Sequence, residues 1–372
     1  MFKKTKAFCD SFLEKGLPGF DLVVYKDGEC VLRYANGYSD VENKIKMTGK
    51  ERFNIYSCSK PITCTAALQL FEKGLFSLDD KISDYMPEFK EMTVKTEDGV
   101  KKAEKDITIR DLFGMSSGLS YNVTSHDILK YKEDTNGRCP TRETMKYIAK
   151  EPLSFEPGTK WQYGLSHDVL AALVEVLTGE KFEIYVKKNI FDVVGMNNST
   201  FMLPENELDT IAEQYRFSSG ELRNIGKKIS HYKIGSEYAA GGAGGISTVD
   251  DYIKFLEALR TYKLLKPKTI KLMTTDLGKW PSNTHGYGLG VRCPKGIEKY
   301  TDFGWGGAAC SYLAVDIENA ISIFFGAHLC DSPVQGVRSM LYSFVRAELI
   351  DNSDFVRIEN KLKEFHNYTL TY

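Results

Sequence analysis

The 372-residue sequence has no CxxC pair and no HExxH, and its eight cysteines are scattered without metal-ligand spacing. A zinc site and a disulfide framework are therefore not expected, and the thiols read as reduced core residues. No run of about 18 uncharged apolar residues occurs, so no transmembrane helix is expected. Met1-Phe2-Lys3-Lys4 has the basic start of a signal peptide, but Asp10 and Glu14 interrupt the apolar run that must follow. A cytoplasmic protein is the expectation. Charge of either sign is not in excess: 49 Lys plus Arg face 50 Asp plus Glu, a formal net charge of -1. That balance offers nothing to attract nucleic acid or an anionic membrane, and it leaves the oligomeric state open. Neither an internal repeat nor a low-complexity linker is present, which excludes a solenoid.

What is present suits a folded enzyme. Hydrophobic residues make up 42% and charged residues 27%, enough apolar side chain for a sizeable core. Residues 3–15 read as a short helix. Phe20 to Tyr25 and Cys30 to Tyr34 read as a hairpin around Lys26-Asp27-Gly28. A buried helix carries Ala66, Ala67, Leu68, Leu70 and Phe71 and stops at Gly74. From about 90 to 235 the chain reads as helix and loop. Helix starts are expected at Thr108-Ile-Arg-Asp111, with capping-box spacing, and at Thr141-Arg-Glu-Thr144. A helix over Asp168 to Leu177 closes at Gly179, and a cap at Ser247-Thr-Val-Asp250 opens another through about Arg260. Strands are expected over Tyr287 to Cys293, Ser311 to Ile317 and Ile321 to Ala327, then a helix near 332–349. The polar tail after Asp351 carries no signal. The pattern predicts an α+β fold, with one antiparallel sheet built from both chain ends and an inserted, mainly helical lobe. One two-lobed catalytic unit would then span 1–372. Its α/β lobe would take about 1–90 and 240–350, its helical lobe about 91–239 and its tail 351–372, with the site in the crevice between lobes.

The chemistry concentrates at Ser57-Cys58-Ser59-Lys60. Residues i and i+3 share a helix face, so the Ser57 hydroxyl and the Lys60 amine can meet. Pro61 lacks the N–H that would bond the Ser57 carbonyl, so the helix must begin near Ser57. A serine there faces the positive end of the helix dipole, and a desolvated lysine can take its proton. Four-residue patterns recur by chance, and a surface helix start with a solvated lysine is the bland reading. Gly114-Met-Ser116-Ser-Gly118 fits a nucleophile elbow, yet a helix-like Asp111-Leu-Phe precedes it where a strand is required. His167 reads as a packing residue and Cys58 as a buried thiol. Gly241 to Gly245 lacks the Lys-Ser or Lys-Thr of a phosphate loop and reads as close backbone packing.

Five ordered segments together resemble the serine β-lactamase and penicillin-binding family, nearest to class C β-lactamases and the related family VIII carboxylesterases. They are Phe53-Asn-Ile-Tyr-Ser-Cys-Ser-Lys60, Asp111 to Leu119, Glu156-Pro-Gly-Thr-Lys-Trp-Gln-Tyr163, Gly241 to Thr248 and Phe303-Gly-Trp-Gly-Gly307. The similarity spans roughly residues 20 to 345. It implies that Ser57 is the nucleophile, that Lys60 and Tyr163 handle its proton, and that the backbone of Ala308 joins that of Ser57 in an oxyanion hole. Trp305-Gly306-Gly307 stands where many members have KTG, and Leu165 where they have the Asn of YxN. The resemblance thus implies no cofactor and a small ester, amide or β-lactam-like substrate. Trp305 and Leu165 make the wall more apolar and favour short esters over β-lactams. A true β-lactamase, a DD-peptidase or D-aminopeptidase, and a non-catalytic ligand-binding homologue are the alternatives.

Overall fold

Alternation along Gly19–Lys26 sets the architecture of the computed structural model, which describes residues 1–227, 230–295 and 301–364. Phe20, Leu22 and Val24 point to one face of a sheet and Val23 to the other, the period-two pattern of a strand buried on both sides. Eight strands lie side by side in the order His285–Tyr287, Arg292–Pro294, Phe303–Gly306, Tyr312–Asp316, Ile321–Ala327, Gly19–Lys26, Glu29–Asp40 and Ile45–Lys46. Every pairing is antiparallel, and Gly19–Lys26 joins the two chain ends through pairs such as Leu22 with Phe325. The expected α+β fold, with a sheet drawn from both ends of the chain, is therefore present.

Helices cover both faces. On one, Phe8 and Phe12 of Lys3–Glu14 and Phe344 of Leu341–Leu349 pack with Phe20 and Phe325. On the other, Tyr252 of Val249–Arg260 stacks on Phe324 with ring centroids 4.0 Å apart. Each fully buried aromatic of this kind contributes about 1.5–3 kcal/mol relative to exposure, so these contacts fix the sheet between its helices. Among the described residues no helix is long and apolar enough to cross a membrane.

Most expected elements occur, and the differences have local causes. The single strand expected over Tyr287 to Cys293 is two strands, because Gly290, at φ 88°, turns the chain where a Cβ would lie 2.2 Å from Cys64 Sγ. The helix expected near 332–349 begins only at Leu341, after a tight turn at Arg338–Met340. Pro333 and Gly336 precede that turn and break the helix pattern. At residue 248 the cap is Thr248, whose side chain accepts from the Asp251 N–H, while Ser247 belongs to the short strand Ile246–Thr248. The middle segment also contains hairpins, Thr93–Thr96 with Gly99–Lys102 and Tyr215–Ser218 with Glu221–Asn224. The tail forms a helix, Asp354–Glu364, and residues 365–372 lie outside those described.

The expected capping box at Thr108 is complete. Its hydroxyl accepts from the Asp111 N–H and the Asp111 carboxylate accepts from the Thr108 N–H. Thr108→Ala should lower stability by about 0.5–2 kcal/mol. The change should be read as a lower urea midpoint at constant m-value. An unchanged midpoint would show that the box does not hold this turn.

Candidate active site

Arg52–Asn54 pairs with Ile246–Thr248, so the strand that leads into Ser57 lies beside the strand that leaves the glycine-rich segment. Tyr56 then turns the chain at φ 46°, a left-handed conformation rare for a bulky residue. Its buried ring is held by a hydrogen bond from its hydroxyl to Gln214 Oε1 at 2.8 Å. Such strain costs on the order of 1–3 kcal/mol and is typical of functional sites. A single 3-10 turn at Tyr56–Cys58 runs into the Ser59–Glu72 helix, with Pro61 in its first turn and Gly74 left-handed beyond its end. The helix start that Pro61 implies is thus in place.

Lys60 is fully buried on that helix. Its Nζ lies 3.3 Å from Ser57 Oγ, 3.4 Å from Tyr121 Oη and 2.7 Å from the Gly242 carbonyl oxygen. It also sits 4.3 Å from the Tyr163 ring centroid. Burial pushes the Lys60 pKa well below the ordinary lysine value, with the Asp168 carboxylate opposing the shift. As a neutral amine Nζ keeps two N–H groups and one lone pair, enough to donate to the Gly242 carbonyl and to accept from the Ser57 hydroxyl. Asp168 is buried in the first turn of Ser166–Thr178, and its own pKa is raised by that burial. Its Oδ1 accepts from Tyr238 Oη at 2.9 Å.

The glycine-rich segment makes room for this arrangement. A Cβ on Gly242 would fall 2.7 Å from Asp168 Oδ2 and 3.3 Å from Lys60 Nζ. Neighbouring backbone is fixed by Thr63 Oγ1 donating to Gly241 O and by Gly245 N–H donating to Ser59 Oγ. The segment is backbone packed tightly on the Ser59–Glu72 helix, as expected of it.

Tyr163 and Trp305 line the cavity from two facing walls. The Trp305 indole N–H donates to Tyr163 Oη at 3.1 Å, the rings stack, and Tyr121 also stacks on Tyr163. Loss of water raises the Tyr163 pKa well above the phenol value, although the Ser57 hydroxyl and the indole at its oxygen oppose the shift. Gly164 brings this segment against the chain at 119–120, where a Cβ would lie 1.9 Å from the Leu119 carbonyl oxygen. Gly307 does the same for the far wall, its missing Cβ lying 2.5 Å from the Ile55 carbonyl oxygen. Ser57, Tyr163, Trp305, Gly306, Gly307 and Ala308 all line one cavity of about 600 Å³. That volume suits a small organic molecule.

One expected residue is elsewhere. Leu165 is buried in the core at the start of Ser166–Thr178, its N–H on the Ser120 carbonyl, and it does not line the cavity. The rivals resolve as packing. Ser116 is buried and donates to Asp111 Oδ1 at 2.7 Å, after the helix Ile109–Phe113 rather than a strand. His167 lies against the Phe113 carbonyl and the Cys64 thiol, with burial lowering its pKa to about 3. Cys58 is buried beside Ser311, and burial raises its pKa to about 11. Sequence reasoning missed Tyr121, Asp168, Trp161, Trp280 and Arg338. Asp168 alone left a signal, a carboxylate heading an apolar-rich helix five residues after Tyr163.

A family model described as beta-lactamase matches residues 5–330. Esterase EstB from Burkholderia gladioli is 30% identical over 283 residues, covering 71% of each chain. The chain belongs to the β-lactamase family. Two solved structures share its fold at 24% identity. One is EstCE1, described as a hydrolase with promiscuous acyltransferase activity (TM-score 0.75, covering 91% of this chain and 98% of that one). The other is simvastatin synthase from Aspergillus terreus (TM-score 0.74, covering 93% and 97%).

The Asp168 charge raises the Lys60 pKa against the stronger effect of burial. Asp168→Asn should therefore let it fall further, so that the neutral amine persists to lower pH. The acidic limb of the pH profile of kcat/KM for p-nitrophenyl butyrate should move to lower pH. A limb that moves up would contradict this account of the lysine.

Proposed function

We propose that the protein is a serine hydrolase that acts on small esters or amides through a covalent acyl-enzyme. One observation carries the reading: a fully buried lysine amine, its pKa lowered, lies 3.3 Å from the Ser57 hydroxyl and beside Tyr163. Ser57 Oγ attacks the substrate carbonyl carbon, and its proton passes to Lys60, directly or through the Tyr163 hydroxyl. Lys60 is the acceptor of choice, because the raised Tyr163 pKa disfavours a standing phenolate. The tetrahedral oxyanion is held by the backbone N–H groups of Ser57 and Ala308. Collapse breaks the bond to the leaving group, which takes the proton through Tyr163. Water then attacks the ester on Ser57 with the same groups reversing their roles, and the acid leaves.

Similarity to an esterase supports this class, and the alternatives among β-lactamases and peptidases use the same acyl transfer. The indole N–H of Trp305 is already committed to Tyr163, so position 305 presents chiefly apolar surface, which supports short esters. Ser57, Tyr163 and Trp305 come from three regions of the chain, which supports one catalytic unit with lobes of about 1–90 plus 240–350 and 91–239. Eight free cysteines, seven of them buried, support a reducing compartment such as the cytoplasm.

The test is hydrolysis of p-nitrophenyl butyrate by purified variants. Ser57→Ala should lose turnover while keeping the native circular dichroism spectrum, and Ser116→Ala should retain turnover even if its melting temperature falls. An inactive but folded Ser116→Ala protein beside an active Ser57→Ala protein would overturn the assignment.

A further inference from the structure

We propose that Tyr56 is a positioning residue for the oxyanion hole, its side chain holding the turn at Ala308 in place relative to Ser57. This rests on the serine-hydrolase reading and adds a residue to its machinery. Tyr56 immediately precedes the nucleophile, is 1% exposed and sits at φ 46°. Glycine reaches that conformation without strain, so the tyrosine side chain must offset the strain through its contacts.

Those contacts lead to the other half of the hole. The Tyr56 ring lies in a small buried cluster with Ala309 and Cys330, and Ala308 and Tyr232 pack against that cluster. Ala308 and Ala309 are the middle residues of a tight turn, closed by the Cys310 N–H on the Gly307 carbonyl at 3.2 Å. Methyl side chains give that turn little grip of its own, so its place depends on what it packs against. The Ala309 carbonyl accepts from the Leu329 N–H at 3.3 Å, and the thiol of the next residue, Cys330, points to the Tyr56 hydroxyl. That hydroxyl donates to Oε1 of Gln214, a buried residue just before the strand Tyr215–Ser218, which pairs with Leu329–Cys330. Burial holds the phenol well above its ordinary pKa, so it remains a standing donor to the amide.

An oxyanion hole acts through two N–H groups that meet one oxygen, and displacement of either weakens the preorganised pair. Ser57 is set by its own turn, where the Cys58 N–H donates to the Ile55 carbonyl at 3.0 Å. Gly307 also has its own anchors, donating to the Ser311 carbonyl and accepting from the Gln335 amide. The two alanines after it lack such side-chain anchors. Tyr56 supplies one, because it is covalently next to Ser57 and packs in the same cluster as Ala309. The aromatic ring thus refers one donor segment to the other, and the bond to Gln214 keeps the ring from shifting.

The full-length enzyme is assayed on p-nitrophenyl butyrate and inhibited with butylboronic acid, whose adduct on a nucleophilic serine presents an oxygen to the hole. Tyr56→Leu should lower kcat/KM by about 10-fold or more and raise the boronate Ki in step, as expected of a misplaced oxyanion donor. Tyr56→Phe and Gln214→Met remove the same hydrogen bond from its two ends. Each should lower kcat/KM by about 2–10-fold, the range of one neutral hydrogen bond. The double variant should be no worse than the poorer single one. The acidic limb of the pH profile should stay in place in all of them, since Lys60 is untouched. A tyrosine with only a structural role would lower the melting temperature and leave kcat/KM and Ki unchanged below it. Should Tyr56→Leu not fold, the Tyr56→Phe and Gln214→Met cycle decides the matter. Unchanged constants in folded variants, strictly additive losses in the cycle, or a shifted acidic limb would overturn the role of Tyr56 and leave the hydrolase reading standing. A wild type that neither hydrolyses the ester nor binds the boronate would overturn that reading and this role with it.

Discussion

The burial of one amine organises the site. Lys60 lies on a helix packed on all sides, where a full charge is poorly tolerated, and its pKa falls for that reason. Everything nearby follows from keeping that amine oriented: the Gly242 carbonyl and the Tyr121 hydroxyl take its N–H groups, and the glycines at 241–245 let backbone approach it. Asp168 tempers the shift without forming a direct ion pair. An amine with its pKa lowered in this way, next to a serine at a helix start, suits the proposed acyl transfer.

The two walls of the cavity are built differently. One comes from the chain around Tyr163, pressed against residues 119–120 through Gly164. The other is the strand Phe303–Gly306, whose continuation through Gly307 meets the Ile55 carbonyl. The neighbouring strand Arg292–Pro294 pairs with it only at Gly304, so residues 305–308 run past that partner and face the cavity. Trp305 bridges the two walls by donating to Tyr163, which ties that phenol to the far side of the pocket.

Much of this is legible in the sequence. Pro61 at its place after Ser57 reveals where the helix must begin, and the period-two pattern at Phe20 to Tyr25 reveals a strand buried on both faces. Capping residues marked Thr108 correctly because that signal is local. What escaped was long-range. The place of Leu165 in a motif points to the cavity wall, whereas packing turns it into the core. Tyr121 and Arg338 reach the site from segments 61 and 278 residues beyond Lys60, and nothing in their local sequence says where the fold will carry them. The tail helix Asp354–Glu364 was equally silent, yet its Lys361 lines the cavity.

The central claim is that Ser57 is the nucleophile activated by Lys60. Its most direct test is to label the intact protein with a fluorophosphonate, digest it and map the adduct by mass spectrometry. A single adduct on the peptide containing Ser57, lost when Lys60 is replaced by Ala in a protein that still folds, is the predicted result. An adduct on the Ser116 peptide, or no adduct at Ser57 in protein that hydrolyses esters, would contradict it.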